Sequence, residues 1–214
     1  FMDNILFNLG GNDSMLSNIN EYLNSTAMDN PIKIGMVEIK KFSDEEISIN
    51  LLESVRGKKV FLLIAPNNSD SIMTLMLGID SAKRSGAKEI IPVLPYYPYA
   101  RGDKKDLNRG PIGAKIIAQM LEINGATGVI TFELHASQIE GFFKIPVIHI
   151  EGKSLFSNVF SEYNENMVFC APDAGAGEKP FSGMEYAQKG MMGLGMFRDF
   201  TQWKNDQIQA SIFL

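Results

Sequence analysis

Cysteine and positive charge are both scarce in this chain of 214 residues, and each scarcity excludes a class of protein. The single cysteine, Cys170, cannot form an internal disulfide, so the sequence gives no sign of an oxidising compartment. The net charge of −5 lacks the basic surplus of a general nucleic-acid binder. The chain has no apolar run of the roughly 20 residues that a membrane helix needs, and no basic leader of a signal peptide. We therefore predict a cytoplasmic protein without a nucleic-acid or membrane partner.

The sequence does contain an alternation of short β-branched runs with longer segments of helical period. Four segments have the length and composition of buried strands: residues 59–65, 89–94, 128–132 and 147–150. Between them, residues 69–84 and 113–123 have the apolar spacing of helices. This rhythm predicts βαβ units, and hence an α/β fold with a mostly parallel sheet and helices on both faces. Before these units, residues 32–40 and 46–52 predict an antiparallel pair.

A second unit is predicted to begin near residue 151. Residues 155–163 and 179–191 predict helices, and residues 167–171 predict a strand between them. The chain then ends in an apolar, strand-like run that no helix follows, so we expect this unit to be incomplete. The predicted organisation is a first domain at residues 1–150 and an incomplete second domain at residues 151–214.

An acid and an imidazole follow the strand that is predicted to end at residue 132. α/β folds bind ligands beyond the carboxyl ends of their strands. If the chain stays extended there, Glu133 and His135 are spaced to point toward one site. A histidine at this position is either a ligand-binding residue or a hydrogen-bonded residue of the core, and the spacing alone leaves both interpretations open.

Three further segments carry groups suited to a phosphorylated ligand, although in chain order they also fit a polar edge strand, a mixed-charge surface loop and a tight strand-to-helix turn. In an extended chain Phe42, Asp44 and Glu46 share one face, where a ring and two acceptors suit a purine. Residues 95–103, Pro-Tyr-Tyr-Pro-Tyr-Ala-Arg-Gly-Asp, follow a strand directly and include a basic group for phosphate. Residues 172–177, Pro-Asp-Ala-Gly-Ala-Gly, are small enough to let phosphate or sugar approach backbone N–H groups.

These segments together resemble the ribose-phosphate pyrophosphokinases, or PRPP synthetases. The resemblance rests on residues 92–112, on residues 169–177 and above all on residues 133–146, which read Glu-Leu-His-Ala-Ser-Gln-Ile-Glu-Gly-Phe-Phe-Lys-Ile-Pro. It implies two units of the phosphoribosyltransferase type. It also implies transfer of pyrophosphate from Mg²⁺-ATP to ribose 5-phosphate, which gives PRPP and AMP for nucleotide biosynthesis.

The resemblance implies an ATP site that is completed by a neighbouring subunit, and therefore a homo-oligomer. It assigns the adenine to Phe42, Asp44 and Glu46, and the phosphates to Arg101. It places His135 against Mg²⁺-ATP. ATP and ribose 5-phosphate are thus the implied substrates, and Mg²⁺ is the implied cofactor.

The other implied roles concern ribose phosphate, the metal and the reaction. Ribose phosphate is assigned to three residues of the strand-to-helix turn: Asp173, Gly175 and Gly177. The implied metal-site residues are His135, Asp173 and Glu133. Mg²⁺ prefers oxygen ligands, so we expect the imidazole near the metal or phosphate rather than as the main anchor. Arg198 corresponds to an arginine of the family's catalytic loop, and with His135 it is the implied catalytic residue.

The sequence also departs from the family pattern at several positions: Gly102, Glu133, Glu140, Lys144, Ile148 and Met196. Gly102 replaces a glutamine and removes one contact, and Met196 replaces a lysine that neutralises charge during transfer, a main contribution to this type of catalysis. The family's acidic ribose 5-phosphate loop has no counterpart in residues 1–214. The sequence therefore predicts a ribose-phosphate pyrophosphokinase; the alternative is a catalytically impaired regulatory subunit that binds nucleotide.

Overall fold

A six-stranded parallel sheet organises the part of the chain that the computed structural model describes, which is residues 4–10, 12–25, 32–105 and 108–151. The strands of this part are β1 (Asn4–Asn8), β2 (Ile32–Gly35), β3 (Val37–Lys41), β4 (Ile47–Leu51), β5 (Lys59–Leu63), β6 (Glu89–Leu94), β7 (Val129–Phe132) and β8 (Val147–Ile150). The helices are α1 (Asp13–Ser25), α2 (Ser69–Arg84), α3 (Gly113–Asn124) and a short 3₁₀ helix, Ser137–Phe142. The sheet order is β2-β1-β5-β6-β7-β8, and every neighbouring pair is parallel.

The central strands are buried on both faces, as a parallel sheet covered by helices requires. In β1, Ile5 and Phe7 on one face are fully buried and Leu6 on the other face is only 5% exposed, and in β5 the neighbouring Leu62 and Leu63, on opposite faces, are both fully buried. These β-branched, leucine and aromatic side chains favour strands, and their burial supplies most of the driving force for folding.

The start of helix α2 and the end of helix α3 both have residues that are suited to helix capping. The Asn68 side chain accepts a hydrogen bond from the Ser71 backbone N–H at 2.9 Å, and the Ser71 hydroxyl accepts one from the Asn68 N–H at 3.0 Å. This reciprocal capping box satisfies two N–H groups that would otherwise lack partners. Helix α3 ends at Gly125, whose φ of 119° is readily adopted only by glycine.

The direction in which successive strands are added to the sheet reverses between β1 and β5. The chain passes from β1 outward to β2, and then returns across β1 to build β5, β6, β7 and β8 on the other side. Ligands of α/β folds bind beyond the carboxyl ends of the strands near such a reversal. This rule points first to the loops that follow β1 and β5, and the loops after β6 and β7 leave the sheet at the same carboxyl edge.

The predicted α/β fold class is confirmed, and the structure corrects the prediction for residues 32–40. Only Val37–Lys41 pairs antiparallel with Ile47–Leu51, whereas Ile32–Gly35 joins the main sheet beside β1 in parallel register. The reason is that Asn4–Asn8 forms a buried strand that offers β2 a parallel ladder, and this strand was not predicted. Residues 152–214 lie outside the described part, so the predicted second domain and its boundary near residue 151 stay predictions. None of the described helices is long and apolar enough to cross a membrane.

The β3–β4 hairpin packs on helix α2 through an apolar base and a charged tip. A Cβ atom at Gly78 would stand 3.5 Å from Ile49 Cδ1, so the hairpin approaches the helix backbone closely at this glycine. Near the tip, Lys41 Nζ lies 2.8 Å from Asp70 Oδ2 in the first turn of α2 and also pairs with Glu45. These two carboxylates raise the pKa of Lys41. The helix that follows β5 thus fixes the position of the hairpin.

We predict that Gly35→Ala destabilises the sheet, because a Cβ atom there would lie 2.5 Å from Cε1 of the buried Phe7 ring and 2.9 Å from Ile5 Cδ1. Overpacking of this kind costs about 1–3 kcal/mol in the free energy of unfolding. The matched control is Gly141→Ala, because no atom lies within 4 Å of a Cβ at that exposed position. Urea unfolding should show a lower midpoint for Gly35→Ala alone, and equal midpoints for the two variants would contradict the prediction.

Candidate functional site

The loops that follow β6 and β7 leave the sheet side by side and contact each other. Strand register pairs Leu94 with Thr131, and the Thr131 hydroxyl donates to the Leu94 carbonyl at 3.3 Å. Farther out, the side-chain amide of Gln138 donates to Asp103 Oδ2 at 3.3 Å. The rings of Tyr97 and Phe143 also meet edge to face, with centroids 6.0 Å apart. The structure therefore brings together the loop that carries Arg101 and the loop that carries His135.

The first of these loops is folded back onto the start of helix α3. The buried Tyr97 hydroxyl donates to the Ala114 carbonyl at 2.9 Å, and burial raises the pKa of Tyr97 so that it remains a donor. Gly102 N–H donates to the Tyr99 carbonyl at 2.9 Å, and Ala114 N–H donates to the Gly102 carbonyl at 3.1 Å. Arg101 is exposed on this framework. A hydrogen-bonded loop thus presents a permanent cation to solvent, as a phosphate site requires.

The second loop is a turn held by the neighbouring strand β8. Glu133 has a φ of 42°, so the chain leaves the extended conformation as soon as β7 ends at Phe132. The prediction that Glu133 and His135 share a face of an extended strand is therefore wrong in its geometry. Both residues are exposed in the turn, and Glu133 N–H donates to the Ile150 carbonyl at 3.2 Å.

Phe42, Asp44 and Glu46 lie in the tight turn between β3 and β4, so the prediction of one extended face is wrong for them too. Phe42 N–H donates to the Glu46 carbonyl at 2.8 Å, and Glu45, with φ 71°, donates its N–H to the Phe42 carbonyl at 3.0 Å. Asp44 Oδ1 accepts the Glu46 N–H at 3.3 Å. The turn still gathers an aromatic ring, 53% exposed, and several carboxylates at one tip. The described contacts tie this tip to α2 rather than to the other two loops.

Backbone strain in the described residues coincides with these three segments. The non-glycine residues of positive φ in this part of the chain are Glu45, Tyr99 and Glu133, one in each segment. Such conformations cost of order 1–3 kcal/mol each, and they cluster where surrounding structure holds a functional turn in place. The sequence did not predict this strain, and it marks the same segments independently of any side-chain chemistry.

The turn after β7 contains two side chains of the types that bind metal ions, the Glu133 carboxylate and the His135 imidazole. Within the described ranges no group of three histidine, cysteine, aspartate or glutamate side chains is arranged to hold a metal ion. The other residues of the predicted site lie outside those ranges: Asp173, Gly175, Gly177 and Arg198. Their assignments to metal, ribose phosphate and catalysis therefore stay predictions.

Sequence reasoning missed one residue of this region, His149 on strand β8. Its Nε2 accepts the Leu134 N–H at 3.1 Å, and its Nδ1 lies 2.9 Å from Glu140 Oε1. The sequence feature that could have identified His149 is its position in the strand directly after the 133–146 segment. Strand pairing of β7 with β8 was needed to show that the imidazole reaches the turn.

Comparison with known proteins shows the family to which this chain is similar. Residues 4–125 match the N-terminal domain of ribose phosphate pyrophosphokinase. The chain is 39% identical over 165 residues to Ribose-phosphate pyrophosphokinase 1 of Streptococcus pyogenes, which covers 75% of this chain and 52% of that protein. It is 41% identical over 174 residues to the ribose-phosphate pyrophosphokinase of Oceanobacillus iheyensis, which covers 79% of this chain and 52% of that protein.

A solved structure of a similar protein also matches this chain. The crystal structure of phosphoribosylpyrophosphate synthetase from Mycobacterium smegmatis matches with a TM-score of 0.68 and 32% identity, over 75% of this chain and 53% of that chain. The chain spans about half the length of the relatives that it matches. On its sequence and its fold, this chain belongs to the ribose phosphate pyrophosphokinase family.

Proposed function

We propose that this chain supplies the nucleotide-binding part of a ribose-phosphate pyrophosphokinase, which transfers pyrophosphate from Mg²⁺-ATP to ribose 5-phosphate to give PRPP and AMP. The observation that carries the proposal is the hydrogen bond between Gln138 and Asp103. This contact joins the Arg101 loop to the His135 loop at the carboxyl edge of the sheet, where ligands of α/β folds bind.

The two loops offer complementary groups for a nucleotide phosphate chain. Arg101 supplies a guanidinium, which suits bidentate contact with phosphate oxygens. When a phosphoryl-type group is transferred from a nucleotide, the protein takes little part in the covalent chemistry. It acts mainly by positioning the reactants and neutralising their charge. Rigid backbone around both loops, including the strained Tyr99 and Glu133, supports that kind of positioning.

The residues of the β7 turn fit a Mg²⁺ ion that arrives with the nucleotide. Mg²⁺ is commonly bound by one or two carboxylates together with substrate phosphates. Glu133 would supply a carboxylate, and His135 would hydrogen-bond a metal-bound water or phosphate oxygen. The ion, when bound, would neutralise phosphate charge during transfer.

Adenine recognition at the hairpin tip would involve a second copy of the chain. Phe42 offers an exposed ring for stacking, and Asp44 and Glu46 offer acceptors for an exocyclic amine. The described contacts of this tip are with α2, through Lys41 and Asp70, and they leave the Phe42 ring 53% exposed. We therefore propose a homo-oligomer in which the tip of one subunit serves the phosphate loops of its neighbour.

The first test is AMP release from ATP by the purified chain with Mg²⁺, with and without ribose 5-phosphate. Release that depends on ribose 5-phosphate and is lost in His135→Ala would support a complete transferase. ATP binding without AMP release would indicate either a nucleotide-binding part that lacks the rest of the enzyme or the alternative, a regulatory subunit of the same family. Absence of ATP binding by the folded chain would contradict both functions.

We predict that Arg101→Ala weakens ATP binding about 10- to 100-fold, since hydrogen bonds to charged groups contribute about 1.5–3 kcal/mol. Arg84→Ala is the matched control, because Arg84 is an exposed arginine that pairs with Asp80 in the last turns of α2. Isothermal titration with Mg²⁺-ATP measures both variants. Equal affinities for the two variants would remove Arg101 from the site.

We further predict that Gly102→Gln raises ATP affinity about 2- to 10-fold by adding an amide hydrogen bond worth about 0.5–1.5 kcal/mol. The backbone tolerates this change, because the nearest atoms to a Cβ at residue 102 are 3.4 Å away. Gly102→Ala fills the same Cβ position without the amide and serves as the control. A gain of the same size in Gly102→Ala would show that backbone stiffening, and not the amide, is responsible.

A further inference from the structure

The imidazole of His149 is held in one tautomer by its two partners. A backbone N–H is a donor only, so the Nε2 atom that accepts the Leu134 N–H at 3.1 Å carries no proton. The proton of the neutral ring is then on Nδ1, which faces Glu140 Oε1 at 2.9 Å. The side chain of His149 is only 11% exposed, whereas that of Glu140 is 43% exposed. The carboxylate therefore orients the ring from the solvent side.

The two contacts of His149 lie at the two ends of the segment that contains His135. Leu134 precedes His135 directly, and Glu140 lies in the 3₁₀ helix Ser137–Phe142 that follows it. One imidazole thus closes residues 134–140 into a loop. Closing a short segment at both ends reduces the number of conformations that it can adopt.

This closure acts on a turn that needs support. Glu133 adopts a φ of 42°, which a non-glycine residue keeps only where its surroundings impose it. The successive N–H groups of Glu133 and Leu134 both donate to β8, the first to the Ile150 carbonyl and the second to His149. The backbone carbonyl cannot be removed by substitution, but the imidazole can. His149 therefore holds this turn through a contact that substitution can remove.

We propose that His149, oriented by Glu140, is the positioning residue that holds the Glu133 turn and so fixes His135 for nucleotide binding. The last step rests on the proposed function, in which His135 contacts Mg²⁺-ATP. The claim that His149 holds the turn by hydrogen bonds does not rest on the proposed function, so the two claims can be tested separately.

The first test is the ¹⁵N spectrum of the chain labelled at histidine, recorded at about pH 8 so that an ordinary imidazole is neutral. The sequence contains two histidines, so His135→Ala assigns both rings. We expect His149 to carry its proton on Nδ1 and to show a hydrogen-bonded, unprotonated Nε2. A proton on Nε2 would overturn the proposal, because that atom could not then accept from Leu134.

The second test compares Glu140→Gln with Glu140→Leu in the same chain. Glutamine keeps an acceptor for Nδ1, whereas leucine removes it at an exposed site where the fold should survive. We expect Leu134 amide exchange to accelerate about tenfold in Glu140→Leu and to stay near the wild-type rate in Glu140→Gln, with the Val60 amide of β5 unchanged in both. Unchanged Leu134 exchange in Glu140→Leu and in His149→Leu would overturn the proposal.

The third test is a double-mutant cycle on ATP affinity. We expect His149→Leu to weaken binding about tenfold, with little further loss when it is combined with His135→Ala, because both variants remove the same contact. Fully additive losses would show that His149 acts on stability and not through His135. If the wild-type chain does not bind ATP, the proposed function fails, and the tautomer and exchange measurements still decide the role of His149.

Discussion

The arrangement of the candidate site depends on the parallel pairing of β6, β7 and β8. A parallel ladder sends the loop after each strand out at the same edge, so loops far apart in sequence become neighbours. The hydrogen bonds Thr131–Leu94 and Gln138–Asp103 are consequences of this pairing. So is the reach of His149 from β8 to the turn after β7. Without the ladder, the cation of one loop and the imidazole of the next would have no common site.

Much of the fold could be predicted because its strands and helices differ clearly in period. Helix α2 has the predicted bounds, since Asn68 and Ser71 mark its start and a glycine-containing turn follows its end. Strand β1 was missed because a short apolar run near the start of the sequence has no periodicity that separates strand from coil. The pairing of Ile32–Gly35 depends on that missed strand, so the error in residues 32–40 followed from it.

Arg101 and His135 were singled out because their segments resemble the family, and their roles stay predictions. The structure places their two loops together. The extended-strand arguments for residues 42–46 and 133–135 were wrong, because both segments turn through a residue of positive φ, Glu45 and Glu133. Glutamate rarely adopts that conformation, so no local rule predicts it. Only contacts from distant strands and helices impose it, and those are invisible in a single sequence.

The hairpin that carries Phe42 is attached to the rest of the protein by two unlike kinds of contact. At its base, Ile49 and neighbouring apolar side chains pack against the core, and charge screening does not weaken such contacts. At its tip, the pair between Lys41 and Asp70 is exposed on both sides, and counterions screen such pairs effectively. Rising ionic strength should therefore loosen the tip while the base stays docked, which gives the exposed ring freedom to adapt to whatever surface it meets.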